Sequence, residues 1–177
     1  MDTNRRYQIM DLLKGCITER QISNITRVIC TQYREYLRLM ESPQFKSVFS
    51  DEYAPHNRQH SVSWAISSAF KSDTNICDNI KVRRLAFGCG HARPLLSNDS
   101  IELLILNKTT HFDAKYLKER YQYNSNNFTG EKLFAYIKFS VEQNRLIDVR
   151  LCLPNENGIV IAEQVLLDRK AILKFVA

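Results

Sequence analysis

The sequence predicts an α+β fold in which N-terminal helices pack on a mainly antiparallel sheet. That sheet ends in a three-stranded meander and a short C-terminal helix. Three observations carry this expectation. Apolar residues recur with helical spacing over residues 18–41. They alternate with a period of two over residues 133–141. Strand-like stretches concentrate in the second half of the chain. At 177 residues, 44% of them apolar, the chain is long enough for one sizeable core. It reads as a single α+β domain over 1–177, with residues 1–55 as a candidate helical subdomain.

The first helix candidate runs over Arg5 to Lys14, with Ile9, Met10, Leu12 and Leu13 apolar, and Gly15 stops it. The clearest helix follows, roughly from Thr18 to Glu41. Thr18 is the expected N-cap, and Glu19 sits where the helix dipole favours an acid. At 100° per residue Ile22, Ile25, Ile29, Tyr33, Tyr36, Leu37 and Met40 fall within about 60° of Ile22 and form one buried stripe. A third helix is expected from about Ser61 to Phe70, on Val62, Ala65, Ile66, Ala69 and Phe70.

Strands come next. Ile80 to Phe87 ends at Gly88-Cys89-Gly90, which reads as a glycine-assisted turn between two strands. Ile101 to Leu106 is apolar almost throughout, as a strand covered on both faces is. Thr110-His111-Phe112-Asp113 resembles a capping box, opening a helix to about Tyr123. In the meander Leu133, Ala135, Ile137, Phe139 and Val141 alternate with Phe134, Tyr136, Lys138 and Ser140. Gln143-Asn144 and Asn157-Gly158 provide the turns into Ile147 to Leu153 and Ile159 to Leu167. Asp168 is placed to cap a last helix containing Ile172, Phe175 and Val176.

Composition narrows the function. Lys and Arg number 25 against 19 Asp and Glu, a formal charge of +6, which favours an anionic partner. No run approaches 18 apolar residues, and no apolar signal core follows Met1 to Arg6. A soluble cytoplasmic protein without a membrane partner is expected. Five scattered cysteines without a CxxC pair read as reduced thiols, most of them small core residues.

The most physical functional signal lies on the long helix. Arg20, Arg27, Arg34 and Arg38 project about 120–160° away from Ile22, with Asn24 and Thr31 between them. Four guanidinium forks on one polar ridge suit phosphate or carboxylate recognition. The plain alternative is a solvated face paired with Glu19, Glu35 and Glu41. A second surface is the other side of the meander, where Phe134, Tyr136, Lys138 and Arg150 either stack on bases or belong to the core. A third is the turn at Cys89-Gly90-His91. There Cys89, His91 and His111 offer nucleophile and base types for a Cys/His hydrolase, and His56, His60, Cys89 and His91 offer ligand types that zinc accepts. Asp99 and Glu102 open a strand as nuclease carboxylates do, but the expected following lysine is absent. Neither a phosphate-binding glycine loop nor a nucleophile elbow occurs.

The segments Gly88-Cys89-Gly90-His91-Ala92-Arg93-Pro94 and Thr110 to Tyr121 (THFDAKYLKERY) are similar to an uncharacterised family of small bacterial and prophage-encoded proteins, over roughly residues 56–177. That family carries no assigned activity, so it contributes no site residue. The resemblance implies a mobile-element setting, in which a small basic protein binds nucleic acid or inhibits a host nucleoprotein complex. The sequence is therefore read as a non-enzymatic binding protein that needs no cofactor. Its expected partner is nucleic acid or a complex that handles it, in the manner of a phage inhibitor of host defence. A small enzyme centred on Cys89 and His91, and a structural or homodimeric protein, are the alternatives.

Overall fold

The structure, a computed structural model, describes residues 9–13, 15–43, 62, 65–70, 79–86, 92–107, 132–142, 145–154 and 159–176. Within them α1 (Ile9–Leu12) is followed by α2 (Glu19–Glu41), a helical stretch at 65–69 and six strands. These are β1 (Lys81–Ala86), β2 (Ala92–Ser97), β3 (Ile101–Asn107), β4 (Leu133–Glu142), β5 (Arg145–Pro154) and β6 (Val160–Leu167). The last helix is α3 (Arg169–Val176).

The local chemistry that sets the helix ends is visible. Gly15, at φ +83°, turns the chain after α1, a backbone conformation that costs glycine little. Thr18 caps α2. Its hydroxyl accepts from the Gln21 N–H at 3.2 Å, while the Gln21 side chain accepts from the Thr18 N–H at 2.8 Å, a reciprocal capping box. Asp168 caps α3 by accepting from the Ala171 N–H at 2.7 Å. On α2 the expected stripe is inside. Ile22, Ile25, Ile29, Tyr33 and Tyr36 are buried, and Leu37 and Met40 pack partly against them.

The six strands form one sheet in the order β1-β2-β3-β4-β5-β6. Four of its five pairings are antiparallel and β3–β4 is parallel, with Ile101 beside Leu133. The α+β assignment and the meander β4-β5-β6 are as expected. The strand count differs by one. The turn expected at Gly88-Cys89-Gly90 lies outside the described residues. No strand was expected between residues 91 and 100, whereas Ala92–Ser97 is a strand that pairs with both β1 and β3. Pro94 at its centre argues against such a reading from sequence, because proline donates no ladder hydrogen bond.

Asn98 ties the β2–β3 turn to the helices. Its side-chain oxygen accepts from the N–H groups of Ser100 and Ile101, both at 2.8 Å, and its amide donates to the Cys16 carbonyl at 2.9 Å. The start of α2 is thereby fixed against the sheet. The main core joins the α2 stripe, Val62, Ala65, Ile66, Phe70, Leu103, Ile105, Ala135, Ile137, Phe139, Val149 and Leu151. A second apolar cluster occupies the other face of the sheet: Leu95, Leu104, Leu106, Phe134, Tyr136 and Cys152. Both faces of the central strands are thus dry, and β3 is buried at all seven positions, as its unbroken apolar run predicts.

Candidate polyanion-binding face

The burial of the Ile22 stripe decides where the rest of α2 points. Arg20, Arg27, Thr31 and Arg38 are exposed, and Asn24 is half-buried beside them. The Arg27 Nη2 donates to the Asn24 Oδ1 at 2.9 Å, which holds that guanidinium over the helix surface. Among the described residues neither Arg20 nor Arg27 has an acid within ion-pair distance. Arg38 pairs with Glu35 one turn back at 2.9 Å. Both side chains are about half exposed or more (65% and 48%), so water screens the pair.

Arg34 behaves differently from its three neighbours. It is half-buried, with its guanidinium carbon 5.4 Å from the centre of the Phe175 ring on α3. Its Nε is buried and has no hydrogen-bond partner among the described residues. The four arginines therefore separate into three that face water and one that braces α2 against α3.

Sequence reasoning missed the contribution of α3. Arg169, Lys170 and Lys174 are exposed on this helix, which carries no acid, and Phe175 brings it against α2. The signal was present in the run Arg169-Lys170, followed by Lys174 four residues later. Between α2, α3 and β6 lies a cleft of about 550 Å³, lined among others by Met10, Ser23, Arg27, Cys30, Gln164 and Phe175. Cys30 lies in its buried wall, and burial pushes its thiol up to about 11.

The other side of the meander belongs to the core. Phe134 and Tyr136 are 3% and 7% exposed, so neither ring is available to stack on a base. Lys138 does lie directly opposite Arg150, as the strand pattern suggests. Both cations are neutralised there. Arg150 binds Asp148 at 2.9 Å and also Glu163, and Lys138 lies 3.9 Å from Glu163. The hydrogen bond from Arg150 holds the Glu163 carboxyl below its ordinary range. Burial raises the Tyr136 hydroxyl and pushes the Cys152 thiol up to about 12, so this thiol is no nucleophile.

His56, His60, Cys89, His91 and His111, which carry the enzyme and zinc alternatives, lie outside the described residues. Among the described residues no group of three His, Cys, Asp or Glu side chains is placed to hold a metal. Cys16, Cys30 and Cys152 are free thiols. The two carboxylates at the start of β3 sit in different surroundings. Asp99 is exposed, whereas Glu102 is buried with Arg83 at 3.7 Å.

No family model, curated protein or solved structure matches the chain. Among the described residues no helix is long and apolar enough to cross a membrane.

Proposed function

We propose that the protein is a non-enzymatic binding protein that meets the phosphate backbone of nucleic acid with the outer face of α2. The observation that carries this reading is the exposure of Arg20, Arg27 and Arg38 along one side of a capped, well-anchored helix. At 1.5 Å per residue these side chains span about 27 Å, long enough to follow several phosphates. The cations of α3 widen the positive surface. Contacts of this type position a protein on nucleic acid without reading sequence, so the expected recognition is of charge and shape. In the prophage setting suggested by the segments at 88–94 and 110–121, such a protein acts by occupying nucleic acid or a complex that handles it. That mode of action needs neither a cofactor nor turnover.

The test is fluorescence anisotropy with labelled duplex and single-stranded oligonucleotides over a salt series. With three phosphate contacts on duplex the logarithm of affinity should fall with the logarithm of salt at a slope of about −3. The pair Arg20→Glu and Arg27→Glu should weaken binding and flatten that slope by about 2, with the circular dichroism spectrum unchanged. Unchanged affinity in the double variant refutes the reading.

A further inference from the structure

The two outer strands of the sheet are treated very differently. β1 carries Lys81, Arg83 and Arg84, all exposed, and charge of that kind discourages another strand from pairing with an edge. β6 has no lysine, arginine or proline in its eight residues VIAEQVLL, and among the described residues no strand pairs with its outer side. Two of its apolar side chains are wet: Ile161 is 61% exposed and Val165 48%. The β1 edge is guarded by charge and the β6 edge is not.

We infer that the open edge of β6 pairs antiparallel with β6 of a second copy of this chain, joining two six-stranded sheets into one. Charge selects this occupant. The +6 chain exposes cations on α2, α3 and β1, and two copies repel wherever those surfaces meet. On β6 the single ionisable group is Glu163, and its carboxylate is already bound by Arg150 and Lys138 of its own sheet. The two β6 strands themselves therefore meet without net charge, the cations of α3 lying beyond Leu167 at their ends. Symmetry points the same way. Antiparallel pairing of a strand with itself obeys a two-fold axis and closes, whereas β6 meeting the cationic β1 edge would build an open filament.

Two irregularities limit the contact. The register with β5 shifts between Val149 and Arg150 and between Leu153 and Pro154, leaving 162–165 as the regular part of β6. The contact is short, so a weak dimer that dissociates on dilution is expected. The inference rests on β6 and is independent of the nucleic-acid reading.

Sedimentation and light scattering on nuclease-treated protein, in salt high enough to strip polyanions, give the test. The mass should rise towards twice 20.7 kDa with concentration. Ile161→Lys or Val165→Lys should raise the dissociation constant about tenfold or more, while Leu173→Lys, at an equally exposed apolar position on α3, leaves it unchanged. Hydrogen exchange on the wild type provides a second readout, with amides of β6 gaining protection as concentration rises and those of β1 not. A mass of one chain at every concentration overturns the inference. So do open-ended growth, equal weakening by Leu173→Lys, and concentration-independent exchange in β6.

Discussion

Replacing Arg34 by Met and Phe175 by Leu, singly and together, tests whether Arg34 is a brace rather than a binding arm. The guanidinium carbon lies 5.4 Å from the ring centre, inside the roughly 6 Å reach of a cation–π contact. Such contacts contribute about 0.5–1 kcal/mol when exposed and about 2 when desolvated, and Arg34 is half-buried. A coupling energy of about 1 kcal/mol is therefore expected from the double-mutant cycle in urea. A loss of that size in a chain of this length corresponds to a Tm lowered by about 2–4 °C. Phe175→Leu alone should cost more, because it also removes ring area from the cleft between α2 and α3. Anisotropy on the same variants separates the roles: Arg34→Met removes a charge yet should bind polyanion like the wild type. Coupling below about 0.3 kcal/mol, the ordinary error of additivity, would falsify the brace.

Three further outcomes follow from the same geometry. Thr18→Ala removes the hydroxyl that accepts from Gln21 and should cost about 1 kcal/mol, read as a shift in the urea midpoint with unchanged slope. Cys30 and Cys152 have folded values near 11 and 12 against an ordinary 9.0. A raised thiol value means stability intact below pH 9 and lost as pH climbs towards 11 and 12. The Cys30 shift alone amounts to about 3 kcal/mol. A flat Tm between pH 8 and 10.5, or native-state labelling of these two thiols as fast as Cys16, contradicts that burial. Glu163 has the opposite sign: its depressed value adds stability at neutral pH that disappears as pH falls through it. Glu163→Gln should flatten the acid limb and cost no more than about 1 kcal/mol at pH 7, since the group is partly screened by water.

What the sequence revealed follows from which physical signals are local. The α2 stripe, its Thr18 cap, the alternation in β4 and the Asp168 cap are each decided within a few residues, and all appear where the pattern puts them. β2 was not legible, because Pro94 contradicts a strand locally while the neighbouring strands override it. The parallel β3–β4 pairing was equally hidden, since nothing within either strand encodes its neighbour. For the site, spacing alone gave the face of α2 on which the arginines lie. Spacing could not tell that Phe175, more than a hundred residues away, takes Arg34 out of that set. A pairing between elements distant in sequence leaves no periodicity to read.

The two proposed contacts use different surfaces, and salt acts on them in opposite senses. Polyanion binding by Arg20, Arg27 and Arg38 releases counterions, so added salt weakens it steeply. Pairing of two β6 edges brings together copies that each carry +6, and added salt screens their repulsion within about 8–10 Å at physiological strength. The dimer should hold or strengthen under conditions that strip the nucleic acid. A salt series followed by anisotropy and by mass on one sample therefore resolves the two surfaces. If both signals decay together, nucleic acid itself bridges the copies, and the open edge of β6 is not what joins them.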